Sequence, residues 1–261
     1  MRGKERQFLS YKFLIPLIFL SLVFVGCSSA APTPVEEASS DFYILGLDEA
    51  AQGNYEKAVE NFSMALEADP SLKLVYIARG NVYDALGEFD KSVADYGKAI
   101  ELDPEYADAY FNRGATSYWT GNLEAAIEDY ARVTELNPGE VYAFINLADI
   151  YFVMGQYDQA VAYAGQAVNI DPQNADAYAI RGEAYGILGD SANALADLSK
   201  ALELAPDNSL LYISRGIANS QNGNLEQALS DFERYLELNP EAPDRENVEG
   251  MVARLKSDLN Q

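Results

Sequence analysis

The feature that most constrains this chain is a set of glycines and prolines that recur at intervals of 34 residues. Each of the six glycines is followed by a polar residue, and they are Gly53, Gly87, Gly121, Gly155, Gly189 and Gly223. Six prolines keep the same interval, namely Pro70, Pro104, Pro138, Pro172, Pro206 and Pro240. A fixed period of about 20 to 50 residues is typical of arrays in which each unit packs on its neighbours. The sequence therefore predicts six units of 34 residues over 39–242, without an insertion.

Within each unit, the spacing of large and small residues predicts two helices. We number the places of each unit from 1 to 34, starting at Ser39. A large residue stands at place 4 and a glycine or alanine at place 8, which puts both on one helical face. Most units then carry alanine at place 20, a bulky residue at place 24 and a small residue at place 27. The glycine suits the end of the first helix, and the proline stops the second. Because large and small residues alternate in this way, large side chains of one helix are expected to pack against small residues of the other.

These copies resemble the tetratricopeptide repeat (TPR) family, with units at 39–72, 73–106, 107–140, 141–174, 175–208 and 209–242. The resemblance implies an all-α fold, a right-handed superhelical solenoid of helix-turn-helix repeats with a concave inner face. After the last unit, an apolar stripe predicts a C-terminal capping helix within residues 243–261. That stripe consists of Val248, Met251, Val252, Leu255 and Leu259.

The N-terminus has the layout of an export signal. An apolar run, Phe13 to Gly26, follows four basic residues, which are Arg2, Lys4, Arg6 and Lys12. This order of a basic and an apolar region is typical of signal peptides. The run is shorter than the roughly 20 apolar residues that cross a bilayer as a helix. It therefore favours a signal that is cleaved, at residues 1–26.

Cys27 is the only cysteine, and the small residue Gly26 stands directly before it. This pair resembles the lipobox of bacterial lipoproteins, which implies cleavage before Cys27 and a lipid on its side chain. Residues 27–38 are rich in small residues and proline and are predicted to form a flexible tether. The chain is then expected to be exported and held at the outer side of the cytoplasmic membrane or at the outer membrane. An uncleaved anchor, or an incidental cysteine at the end of a membrane helix, remains the alternative.

Composition excludes most other classes of function. The formal net charge is -23, so a nucleic acid partner is not expected. The chain contains no histidine, which removes the usual general base and the usual zinc ligand. A single cysteine cannot form a disulfide within the chain or a cysteine-rich metal site. No metal and no cofactor are therefore expected.

Arginine and aspartate occur together in the repeats. Units two, three, five and six have arginine at place 7 and aspartate at place 23, whereas units one and four have neither. We interpret them as structural ion pairs that join the two helices of a unit. The pairs are Arg79 with Asp95, Arg113 with Asp129, Arg181 with Asp197, and Arg215 with Asp231.

A second set of residues is predicted to bind a partner. In the TPR family, places 2, 5, 9, 12 and 13 of the first helix line the concave groove. Units three and four carry mostly aromatic and aliphatic residues there: Phe111, Tyr118, Trp119, Tyr142, Ile145, Phe152 and Val153. Such residues are favoured anchors at interfaces, although several could simply pack between helices. No lysine or arginine occupies these places, so we expect a partner with apolar anchors and basic flanks rather than a bound carboxylate.

Together these features predict a non-enzymatic, lipid-anchored scaffold or assembly factor of the bacterial cell envelope. Its expected partners are other envelope proteins or peptides. The alternative is an envelope glycan binder, or a glycan hydrolase that uses Asp149 and Glu183 beside Tyr118 and Trp119. Catalysis is not expected, because carboxylates are so frequent in this chain that adjacent ones arise without a function.

Overall fold

The computed structural model describes residues 34–260, which form thirteen helices and no strand. They are α1 (Pro34–Ala51), α2 (Tyr55–Ala68), α3 (Lys73–Leu86), α4 (Phe89–Leu102), α5 (Ala107–Trp119), α6 (Leu123–Leu136), α7 (Val141–Val153), α8 (Tyr157–Ile170), α9 (Ala175–Leu188), α10 (Ser191–Leu204), α11 (Ser209–Gln221), α12 (Leu225–Leu238) and α13 (Arg245–Leu259). Each of the six repeats contains one pair, from α1 with α2 to α11 with α12. The prediction of an all-α array of helix-turn-helix repeats followed by a C-terminal helix is confirmed.

The periodic glycines and prolines end the helices. All six glycines have a left-handed backbone, with φ between 75° and 85°, and no other residue type in the described range has a positive φ. At Gly87, the turn satisfies the carbonyl groups of Asp84 and Tyr83, which would otherwise lack partners at the end of α3. Each second helix ends two residues before its proline, and the residue between them leaves the helical conformation, as at Asp103, which is extended. This follows from the steric restriction that proline imposes on the preceding residue.

Close packing within each repeat depends on place 8. A Cβ atom added to Gly80 would lie 2.7 Å from Cε1 of Tyr96, and one added to Gly216 would lie 2.6 Å from Cε1 of Phe232. The aromatic ring at place 24 therefore occupies the space of the missing side chain. Repeat 4 has alanine at both places, Ala148 and Ala164, and both are fully buried. A larger residue at place 8 thus occurs where place 24 is small.

The described residues divide into two compact units, 34–137 and 138–260. In the first unit, one buried cluster joins α2 to α3, with Phe62 and Val75, and another joins α3, α4 and α5. In the second unit, one cluster of buried residues such as Ala148 and Ala164 joins α7, α8 and α9, and another joins α10 to α11. Each core is therefore distributed along the array, as expected for repeats that pack on their neighbours.

The two ends of the array differ from the sequence predictions in detail. The predicted flexible tether, residues 27–38, is too long, because α1 already begins at Pro34. Proline suits a first helical position, where its missing N–H group would have no partner in any case. At the other end, Val248 and Leu255 of α13 are buried against Phe232 and Tyr235. Two further members of the predicted stripe are exposed, and these are Met251 and Leu259.

Candidate partner-binding surface

The structure brings each arginine of place 7 against the aspartate of place 23. Arg113 donates from Nε to Asp129 Oδ2 at 2.9 Å and from Nη2 to Asp129 Oδ1 at 2.7 Å. The same two-bond geometry joins Arg79 to Asp95, Arg181 to Asp197, and Arg215 to Asp231. The hydrogen bond to Asp129 raises the pKa of Arg113 above its ordinary value, against an opposing effect of burial. These arginines hold two helices together and are not a free row of cations.

A tyrosine beside each arginine completes this arrangement, which the sequence analysis missed. The guanidinium carbon lies 5.5 to 5.9 Å from the ring centre of the tyrosine at place 4, a cation–π distance. The tyrosines are Tyr76, Tyr110, Tyr178 and Tyr212. The signal was present in the sequence as a tyrosine three residues before each arginine, since residues at that spacing are neighbours on a helix.

Repeats 1 and 4 lack the ion pair, and repeat 4 has other contacts in its place. Repeat 1 has Leu45 and Asn61, and Leu45 is exposed. Repeat 4 has Leu147, which is fully buried, and Tyr163. The Tyr163 ring stacks on Tyr151 with 5.3 Å between ring centres and 5° between planes. The first repeat of each compact unit is therefore the one without the arginine.

Three of the predicted groove residues lie in the first unit. Phe111 is half-buried and meets the edge of Tyr130 with 5.4 Å between ring centres. Tyr118 and Trp119, in the last turn of α5, are also half-buried. Phe111 thus has a packing role within repeat 3, while all three keep part of their surface open.

The other four lie in the second unit, where one is buried and three keep part of their surface open. Ile145 is only 8% exposed and packs with Ala164 and Ala177 in the core, so its prediction as a groove residue is corrected. Its place on α7 faces the neighbouring helices rather than solvent. Phe152 is half-buried beside Tyr157. Tyr142 and Val153 are 41% and 47% exposed, which leaves apolar surface at both ends of α7.

A polar cluster on the first unit was not predicted. The hydroxyl of Tyr96 lies 2.8 Å from Asn81 Oδ1 and 2.8 Å from Asp84 Oδ2, which also accepts from Thr116 Oγ1. The other oxygen of Asp84, Oδ1, is buried and has no hydrogen-bond partner. Burial raises the pKa of Asp84 above its ordinary value, and hydrogen bonds from Tyr96 and Thr116 oppose that shift only in part. Asp84 occupies place 12, the place of Tyr118 and Phe152 in other repeats.

Asp84→Asn is expected to be more stable than wild type, and the difference in their free energies of unfolding should grow as the pH rises from about 3 to 7. Because the folded state binds the Asp84 proton more tightly than the unfolded state, the stability contributed by the protonated form is lost with rising pH. The asparagine removes that loss, and its Nδ2 can donate to Ser92 Oγ, whose own proton goes to the carbonyl oxygen of Phe89. We expect a gain of about 1 kcal/mol at pH 7, the lower range for a buried group without a partner.

Urea unfolding at several pH values measures this difference. Asp90→Asn, at an exposed aspartate near the start of α4, is the control for the loss of one negative charge. A difference between Asp84→Asn and wild type that stayed constant over this range would contradict the raised pKa.

The two carboxylates that a glycan hydrolase would use are buried or hydrogen-bonded within the protein. Asp149 is buried, and Glu183 accepts a hydrogen bond from Ser214 Oγ at 2.7 Å.

Within residues 34–260, no group of three or more His, Cys, Asp or Glu residues could hold a metal ion. Over the same part of the chain, none of the helices combines the length and apolar content needed to cross a bilayer. Cys27 and the predicted signal lie outside the described residues.

Comparisons with known proteins agree with the repeat architecture. Family models described as tetratricopeptide repeat match residues 120–184 and 188–253, and one described as TPR repeat matches residues 80–120. A comparison with curated protein sequences gave no significant match.

Several solved structures are similar over most of their length. PilF of Pseudomonas aeruginosa is 20% identical, with 84% of this chain and 99% of that chain covered and a TM-score of 0.70. YrrB, a TPR protein with an unusual peptide-binding site, is 21% identical over 76% and 99%, with a TM-score of 0.63. MamA is 25% identical over 66% and 94%, with a TM-score of 0.61. From its helix pairs, its periodic glycines and these matches, the chain belongs to the tetratricopeptide repeat family.

Proposed function

We propose that this TPR protein is a lipid-anchored, non-enzymatic scaffold of a bacterial cell envelope. It binds segments of other proteins on the inner faces of its first helices. Cys27 carries the lipid, and the residues before α1 connect it to the repeats.

One observation carries the proposal of a binding role, namely the apolar surface left open at places 2, 12 and 13. A repeat array needs its apolar residues only for packing between neighbouring helices. Tyr142 and Val153 of α7 are nevertheless exposed, and Trp119 of α5 is half-buried. Aromatic and aliphatic side chains with part of their surface open are effective anchors, because they bury much area and lose little conformational freedom.

The charge of the chain supports a partner with basic flanks. With 41 acidic and 18 basic residues, the surface attracts lysine and arginine and repels acidic segments. The similarity to YrrB, which has a peptide-binding site, supports a peptide segment as the bound element. The order of basic residues, apolar run, glycine and cysteine at the N-terminus supports the anchor.

A photo-crosslinking amino acid at Tyr142, in the full chain expressed in its native host, tests this function. We expect a crosslink to an envelope protein, at a peptide that contains apolar residues next to lysine or arginine. Val153→Asp should reduce the crosslink about tenfold, because it places a charge where an apolar contact forms. The same crosslinker at Gln159, an exposed residue of α8, is the matched control and should give no such product.

Two results would contradict the proposal. Equal crosslinking from Gln159 would show that the contact is not specific to the inner face. A crosslink to cell-wall glycan would favour the glycan-binding alternative.

The intact mass of the membrane-bound protein tests the anchor separately. It should begin at Cys27 with added acyl chains, and Cys27→Ala should remain uncleaved.

A further inference from the structure

Each first helix that follows another repeat of its own unit has one face covered by that repeat. In α3, Val75, Ala78 and Val82 pack against buried residues of α2 that include Phe62 and Leu66. In α9, Ala177 and Ile180 pack against residues of α8 in the same way. These residues stand at places 3, 6 and 10, and the arginine of place 7 lies beside them. We call places 3, 6, 7 and 10 of a first helix its stacking face.

Within residues 34–260, no repeat precedes α1, and the centre of its stacking face is apolar. It consists of Asp41, Ile44, Leu45 and Asp48. Ile44 is 59% exposed and Leu45 is 49% exposed, and both aspartates are exposed as well. In repeat 5, which follows repeat 4 of the same unit, the three apolar residues of this face are buried, and they are Ala177, Ile180 and Ala184.

A terminal repeat that only needs to be soluble would carry polar residues over this whole face. Here the two outer places follow that rule with Asp41 and Asp48, while the two central places do not. The α1 face is thus an apolar pair between two carboxylates. This arrangement differs from the stacking face of α3, where the outer places are Val75 and Val82.

We propose that the stacking face of α1 is a second docking surface, which binds a helix of another protein that has apolar residues flanked by lysine or arginine. The helix lies on α1 as α2 lies on α3. Its apolar side chains cover Ile44 and Leu45, and its basic residues pair with Asp41 and Asp48. This surface is separate from the inner faces of the first helices, so one chain can hold two partners.

Charge selects this occupant over the other candidates. Two copies of the chain that met through α1 would bring four aspartates together, and each copy carries a net charge of -23. Like charges placed opposite each other oppose association. An anionic lipid surface would be repelled for the same reason. A helix with basic flanks removes the repulsion and leaves the apolar contact.

A synthetic helix based on α2 provides the probe. It has the sequence of residues 55–68, which already fits the stacking face of α3, but lysine replaces Glu56, Glu60 and Glu67. A chemical staple on the side that is exposed in α2 keeps it helical, since a helix this short is marginal in water. The control peptide keeps the three glutamates and carries the same staple.

The dissociation constant of the lysine helix from the full chain is measured by fluorescence anisotropy. We expect binding that weakens at least tenfold in Ile44→Asp and that also weakens between about 50 mM and about 500 mM salt. Leu259→Asp is the matched control, because Leu259 is an exposed apolar residue of α13, outside the repeats and the inner faces of their first helices. It should bind as wild type does. Circular dichroism verifies that both variants remain helical.

Any of three outcomes would overturn the proposal. The first is equal affinity of wild type and Ile44→Asp for the lysine helix. The second is equal affinity of wild type for the lysine and glutamate helices, which would exclude the two aspartates as the selecting groups. The third is self-association in sedimentation, or binding to anionic vesicles, that Ile44→Asp abolishes. That result would assign the face to a second copy or to lipid. None of these depends on Tyr142 or Val153, so failure here is distinguishable from failure of the proposed function.

Discussion

Arg113→Leu is expected to lower the free energy of unfolding by about 3 kcal/mol. The substitution leaves Asp129 buried between α5 and α6 without the two hydrogen bonds that it accepts from the guanidinium group. Removing one partner of a buried ion pair typically costs about 3 to 5 kcal/mol, and the partial exposure of Arg113 favours the lower value. Urea unfolding followed by circular dichroism measures the change.

The double variant Arg113→Leu/Asp129→Leu is the informative control. We expect it to recover most of the lost stability, because no uncompensated charge remains and an apolar pair of similar volume is often neutral. Repeat 4 folds naturally with Leu147 at place 7 and Tyr163 at place 23, so the architecture tolerates such a replacement. If Arg113→Leu alone were as stable as wild type, the ion pair would have no structural role.

Gly216→Ala is expected to lower the free energy of unfolding by about 2 kcal/mol. The new Cβ atom would lie 2.6 Å from Cε1 of Phe232, a buried ring that cannot move away without disturbing the contact between α11 and α12. Overpacking of this kind typically costs about 1 to 3 kcal/mol, and so close an approach favours the upper value, so about 2 kcal/mol remains after a gain of up to about 1 kcal/mol in helix propensity. Thermal melting and urea unfolding should both report the loss.

Gly250→Ala is the matched substitution in the same unit. Nothing lies within 4 Å of a Cβ atom at Gly250 in α13, and its backbone is helical. The variant should therefore gain about 0.5 to 1 kcal/mol from the helix preference of alanine. If both alanine variants were stabilised, α11 and α12 would not approach each other as closely as described.

The repeats were predictable because several independent signals agreed at a constant interval. Gly87 and its equivalents require a left-handed backbone, and prolines such as Pro104 cannot continue a helix, so each residue type marks a boundary. The joint presence or absence of arginine and aspartate likewise carried information about contact. A pair such as Arg113 with Asp129 is predictable from the sequence because either charge, buried without the other, would lower the stability of the fold.

The remaining details depend on three-dimensional packing. Ile145 and Val153 both belong to the predicted groove set, yet one is buried and the other is exposed. Helical spacing shows which residues share a face, but how deeply the adjacent repeat covers each place depends on the side chains there. Asp84 could not be recognised for a related reason, since its unpartnered oxygen results from the way Tyr96 and Thr116 surround it.

The absence of the ion pair from repeats 1 and 4 reveals a second, longer period in the chain. Leu45 and Leu147 are 102 residues apart, three times the basic interval. The exposed pairs on the second helices follow the same rule and occur in repeats 2, 3, 5 and 6: Lys98 with Glu101, Arg132 with Glu135, Lys200 with Glu203, and Arg234 with Glu237. The boundary at residue 137 falls just before repeat 4. Thirty-four residues thus define a helix pair and 102 define a module, so the array is best understood as a tandem of two related triplets.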